Sequence, residues 1–210
     1  METASQVFAS GIEPEDQARA DFYALLSRLF EGAPDAGLLA AIASADELPD
    51  VSMPGIGRDL VKAWRELIAA SAATDPEAAA AEYQDLFIGV GKSEVSLNAA
   101  AYTPPGTANP LVTVRSALAE LGLARQMGVT TYEDHLAAVC ETMRMLISGA
   151  KGDGGYPFAE QSRFFESHMK PWVFDCCNAI KNSAIANYYR RVAEFTQSFM
   201  ALERDSFAID

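Results

Sequence analysis

The sequence predicts an all-α protein, a single bundle of about eight or nine helices, and three observations carry that reading. Apolar residues recur three and four positions apart along most of the chain, the spacing that gathers them on one face of a helix. No segment shows the apolar–polar alternation of a half-buried strand. Proline, glycine and aspartate cluster where the helical period breaks. Half of the 210 residues are hydrophobic and 21% are charged, so the chain can bury a sizeable core. There is no internal repeat. Residues 1–210 read as one domain, with a division into two lobes hinged near 89–110 left open.

The elements follow in order. Phe22, Leu25, Leu26, Leu29 and Phe30 form one helical face. "EPED" opens that helix with Pro14 and early acids, which suit a helix N-terminus, and "EGAPD" closes it. "DAGLLAAIAS" fits a short second helix, and "LPDVSMPGIG" a loop. Leu60, Trp64, Leu67 and Ile68 mark a third helix. "TDPEAAAAEYQDLF" starts a fourth, with Asp75 as cap and Pro76 in its first turn. From 89 to 110 the period stops. A break of about 20 residues exceeds ordinary connections and suggests a functional or mobile segment. "LVTVRSALAELGL" restarts the pattern, and 131–148 continues it. "GAKGDGGYP" is a glycine-rich loop. The last helices are expected at 157–168, 171–181 and 183–203, the final one carrying a seam of Ile185, Tyr188, Val192, Phe195, Phe199 and Leu202.

The net charge is −13. Phosphate backbones need clustered Lys and Arg, so a nucleic-acid partner is not expected. Such acidity attracts a basic partner, or serves only to keep the protein in solution. Cys140, Cys176 and Cys177 are an odd set without framework spacing, which fits a reducing compartment and small apolar fillers. The N-terminus has no basic n-region, and no run of about 18 apolar residues exists. Stable membrane insertion is therefore not expected, and the cytoplasm is the expected location.

The stretch "TYEDHLAAVCETM" places Glu133, Asp134 and His135 side by side before an apolar face of Leu136, Val139, Cys140, Met143, Leu146 and Ile147. Thr131 reads as the N-cap and Asp134 as its reciprocal partner three positions on. On that register Asp134 points away from the core and His135 lies at its boundary. Val139 stands four residues after His135, where a metal site would want a second ligand. No metal and no cofactor are expected. No GxSxG elbow, P-loop or GxGxxG run accompanies the cluster, so hydrolase chemistry at Asp134 and His135 lacks the rest of its apparatus. The cluster is either helix capping alone or a recognition edge for a basic peptide.

Four stretches together resemble the TorD/DmsD family of molybdoenzyme-specific chaperones. "EYQDLFIGVG" carries Glu82, Tyr83, Leu86, Phe87 and Gly89, similar to that family's E-aromatic-x-x-L-F-x-G run. "YEDHLAAVCETM" carries Asp134 and His135, similar to E-P-x-D-H. "HMKPWVFDCC" carries His168, Pro171 and Trp172, similar to H-x-x-P-W. "NYYRRVAEFT" carries Tyr189 and Arg190, similar to the start of the family's last helix. Order and spacing agree from 82 to 199. Thr131 and Tyr132 depart from the family's Glu-Pro. Ala100 stands where the family tends to have serine, although Tyr102 is kept.

The resemblance implies an all-helical, TorD-like cytoplasmic protein without enzymatic activity. Its partners would be the apo catalytic subunit of a molybdoenzyme and that subunit's twin-arginine leader. It would hold the subunit for cofactor insertion and delay export. A NarJ-like assembly factor independent of any leader is the near alternative. A small hydrolase using Asp134 and His135 is the alternative of another class. On the resemblance, Asp134 and His135 form a polar edge for leader arginines, because guanidinium forks pair with carboxylates. Tyr83, Leu86, Phe87 and Tyr102 line the apolar part, or Tyr83, Leu86 and Phe87 simply fill the core. Core packing is expected for Trp172 and Tyr189, and a satisfied helix-end position for His168. The molecule would be a monomer or a domain-swapped homodimer, the segment at 89–110 permitting exchange.

Overall fold

Several helices begin where proline or aspartate precedes an apolar stripe, and they pack by that stripe. The computed structural model describes residues 12–49, 55–89, 91–124, 130–149 and 155–209. Among them nine α-helices follow in order: α1 (Pro14–Glu31), α2 (Ala36–Ala43), α3 (Ile56–Ala73), α4 (Pro76–Tyr83), α5 (Pro110–Glu120), α6 (Leu136–Ser148), α7 (Phe158–His168), α8 (Val173–Asn182) and α9 (Tyr188–Phe207). No strand occurs among the described residues, and Asn98 and His135 form one isolated antiparallel bridge. The all-α expectation holds. Asp75 caps α4 as its position predicts, accepting from the Glu77 and Ala78 N–H groups at 3.0 and 3.1 Å.

α1 packs on α6, and α9 packs on α3 and α8. The two long helices α1 and α9 supply the centre of the core. Tyr23, Leu26, Leu29 and Phe30 of α1 are fully buried, as are Tyr189, Val192 and Phe195 of α9. Phe22, Trp64 and Phe195 meet with centroids 5.1 to 5.4 Å apart, within the range of favourable ring contacts. At the far end of α9, Glu203 is 1% exposed and takes a two-pronged contact from Arg19, at 2.7 and 2.9 Å, plus the Tyr23 hydroxyl at 3.0 Å. A buried carboxylate needs such partners to offset its lost hydration.

The start of α9 is held from outside the helix. Asn187 supplies no side-chain cap. Instead Glu82, at the end of α4, accepts from the Asn187, Tyr188 and Tyr189 N–H groups at 2.8, 3.0 and 2.8 Å. A carboxylate there meets unsatisfied donors and the positive end of the helix dipole. Arg190 completes the junction by donating to the Lys181, Ser183 and Ala186 carbonyls. The last helix was expected from 183. It starts at Tyr188 because residues 183–187 form a bent, non-helical link held between these two side chains, and Ile185 of the predicted seam is 42% exposed.

After α4 the helix widens into a single π-helical turn, Gln84–Ile88, which Gly89 ends. Gly89 has φ +63, and a Cβ there would overlap the Lys92 carbonyl oxygen, so only glycine fits. Within the segment that follows, residues 95–99 are threaded into the core. Val95, Leu97 and Ala99 are buried within the same cluster as α1, α6 and α9. The Val95 N–H donates to the Leu86 carbonyl at 2.9 Å, and the Leu136 N–H to the Leu97 carbonyl at 2.8 Å. Residues 50–54 of the loop "LPDVSMPGIG" and 150–154 of the loop "GAKGDGGYP" lie outside the described residues.

Glu82→Ala leaves three N–H groups without their acceptor. We expect a loss of roughly 1–3 kcal/mol of stability and faster hydrogen exchange at Asn187, Tyr188 and Tyr189. Chemical denaturation with amide-resolved exchange measures both, and exchange confined to other amides would contradict this role.

Candidate functional site

Helix α6 begins at Leu136, with His135 as its N-cap: the His135 Nδ1 accepts the Ala137 N–H at 3.2 Å. The expected capping pair of Thr131 and Asp134 is thus corrected. Residues 131–135 are not helical, so the helical register used to point Asp134 outward does not apply there. Asp134 is 3% exposed. Its carboxylate accepts the Asn98 side-chain amide at 3.2 Å and the Ala100 N–H at 3.3 Å, while its carbonyl accepts the Ala99 N–H at 3.0 Å. The acid expected as an open arginine acceptor is a brace inside the fold, since a buried carboxylate is tolerated only when bonded. No hydrogen bond joins the Asp134 and His135 side chains among the described residues. Burial lowers His135 to a pKa of about 4, with the nearby Asp134 opposing the shift. That neutral imidazole is a poor general base near neutrality.

The expected apolar lining divides in the same way. Leu86 is fully buried, and Tyr83 and Phe87 are each 9% exposed. Tyr83 donates to the Phe30 carbonyl at 3.1 Å. Phe87 meets Tyr189 edge-on at 5.0 Å. These residues pack the core, the second of the two readings open for them. Tyr189 donates to the Leu29 carbonyl at 3.0 Å and is wholly buried.

Tyr102 does reach a concavity. It stacks on Trp172 with centroids 5.9 Å apart and donates to the Ser96 carbonyl at 2.7 Å. The two rings border a cleft of about 310 Å³ with Pro104, Pro110, Val114, His168 and Pro171. Among the described residues, no charged side chain lines it. Trp172 donates to the His168 carbonyl at 2.7 Å, and the His168 ring lies 4.9 Å from Phe164. Burial pushes the His168 pKa down.

A larger groove of about 430 Å³ runs between α1 and α6 beneath the end of α5. From α1 it takes Ala24, Ser27, Arg28 and Glu31, which share one face by their spacing. From α6 it takes Ala137, Ala138, Glu141, Thr142 and Met145. Leu118 and Leu123 give an apolar wall, and Glu133 borders the mouth. Glu133 pairs with Arg115 at 3.0 Å and Glu141 with Arg144 at 2.7 Å. Tyr132 and Val112, beside the first of these pairs in sequence, are 57% and 58% exposed. Sequence reasoning missed this groove because it exists only where α1 meets α6, more than a hundred residues apart.

Among the described residues no group of three or more His, Cys, Asp or Glu could hold a metal ion. The three cysteines are free and buried, and burial pushes Cys176 up to about 12. Thiols held protonated are inert as nucleophiles. No helix among the described residues is long and apolar enough to cross a membrane.

A family model described as nitrate reductase delta subunit matches residues 54–178, more than half of the chain. The match spans α3 to α8 and includes Glu82, Asp134 and His168. No curated protein matches the chain.

Two outcomes test this geometry. The folded pKa of His135 lies below its ordinary value, so the unfolded chain binds the proton first as pH falls. Its stabilising contribution is complete above about pH 6.5 and lost toward pH 4, on the order of 3 kcal/mol in all. His135→Asn keeps a capping acceptor and should flatten urea-denaturation midpoints over that window; an unchanged slope contradicts the assignment. Asp134→Ala removes an internal acceptor and should cost roughly 2–4 kcal/mol, read from the same denaturation curves. A fully stable variant would place that carboxylate outside the fold.

Proposed function

The chain belongs to the nitrate reductase delta subunit family, and we propose that it is a maturation chaperone that holds the unfinished catalytic subunit of a molybdoenzyme. The family is one of molybdoenzyme assembly factors rather than enzymes, and the resemblance to TorD/DmsD chaperones lies within the same class. The family match across α3 to α8 is the observation that carries this reading.

On this reading the protein works in the cytoplasm, where the subunit receives its cofactor, and makes no bonds itself. It keeps the subunit open until the cofactor is seated. A terminal segment of the subunit, basic and partly apolar, is the handle. The family description favours a nitrate-reductase-type client and hence a handle that need not be an export signal. A twin-arginine leader offers the same chemistry of guanidinium groups beside an apolar stretch. The protein's charge of −13 favours either segment by long-range attraction.

Tagged protein recovered from anaerobically grown cells should bring down a molybdoenzyme catalytic subunit lacking its cofactor, identified by mass spectrometry and metal analysis. Deleting the gene should leave that subunit inactive and poor in molybdenum. A fully loaded, active subunit in the deletion strain would contradict the proposal. Removing the subunit's twin-arginine leader distinguishes the two handles: capture that persists supports leader-independent assembly, and capture that disappears supports leader recognition.

A further inference from the structure

We infer that the groove between α1 and α6 seats the client's cationic, amphipathic segment, and that Ser27, Glu31 and Glu141 hold its polar side in place of Asp134. The inference rests on the chaperone reading above and assigns it a location. Ser27 is 8% exposed, and its hydroxyl has no hydrogen-bond partner among the described residues although it borders the groove. A nearly buried hydroxyl left without a protein partner awaits one from a ligand or solvent. Glu31 lies one turn further along α1, exposed and with no ion pair among the described residues. The two therefore present an acceptor pair on one helical stripe.

Glu141 faces them from α6. Its pair with Arg144 is a surface contact, with side chains 41% and 30% exposed. Such pairs contribute about 1 kcal/mol or less, so an incoming guanidinium can share or replace Arg144. Among the described residues, Arg28 is the one cation on the groove wall.

The rest of the groove suits the apolar side of the same segment. Ala24, Ala137 and Ala138 are small lining residues, which lets a peptide backbone approach closely. Leu118, Leu123 and Met145 supply the greasy contacts. Acids on both walls, with leucine and methionine beside them, match an amphipathic segment that carries arginines next to apolar residues. The uncharged cleft beside Tyr102 offers no counter-charge for arginine. A second copy of this chain is disfavoured as occupant by its own net charge of −13.

Titration calorimetry on the full chain tests the assignment. The probe is a synthetic peptide of about four helical turns, with two adjacent arginines followed by an apolar stretch, and a control has glutamines in place of the arginines. Wild type should bind the first at least about tenfold more tightly than the second. Glu31→Gln combined with Glu141→Gln should weaken binding about tenfold, and Ala138→Trp should abolish it by filling the groove. Tyr102→Ala should leave affinity unchanged. Glu31 and Glu141 reach solvent, so the charge variant keeps its fold, which thermal melting verifies. Affinity insensitive to both groove changes, with the catalytic subunit still captured from cells, overturns the groove and leaves the chaperone reading standing. Wild type that binds neither probe nor subunit overturns both.

Discussion

The inward turn of Asp134 fixes much of what surrounds it. Its carboxylate and carbonyl together hold Asn98, Ala99 and Ala100. Those bonds keep residues 95–99 against α6, where Val95, Leu97 and Ala99 fill the core. They also set the short turn that carries Tyr102 onto Trp172. A carboxylate at this depth is tolerable only because it has these partners. Without it, a long segment of irregular backbone would leave its own polar groups unpaired beside the core.

The same logic runs through the other motif residues. Glu82 accepts from the first three N–H groups around the start of α9, and Arg190 binds the carbonyls at the end of α8. Tyr83 and Tyr189 donate to carbonyls at the end of α1. The stretches that mark the family are in large part its joints: side chains that join helix ends distant in sequence. On the proposed function, recognition is left to surfaces between the joints. The groove of α1 and α6 combines a hydroxyl without a partner among the described residues, acids and an apolar wall, features that a structural joint lacks.

The fold was largely legible in the sequence because helical periodicity and caps are local. Asp75 and Pro76 begin α4 as their positions predict, and Gly32 ends α1. The starts of α6 and α9 were not legible. Each is set by a bond from elsewhere: Leu97 accepts the Leu136 N–H, and Glu82 accepts the N–H groups around Tyr188. The candidate site was harder still. Asp134 and His135 drew notice because charged residues beside an apolar run look exposed, yet nothing local tells a surface acid from a buried brace. Ser27 and Glu31 gave no signal at all, since a serine and a glutamate one turn apart are ordinary on any helix. Their meaning arises only from the packing of α1 on α6.

Chemical-shift mapping on uniformly labelled protein tests the central claim most directly, with the terminal segment of a captured catalytic subunit as titrant. The account predicts that the largest changes fall on Ser27, Glu31, Ala138 and Glu141, with Asp134 and Ala100 little moved. Changes centred on Asp134, His135 and Tyr102, with the α1 face silent, would contradict it and return recognition to the aspartate–histidine edge.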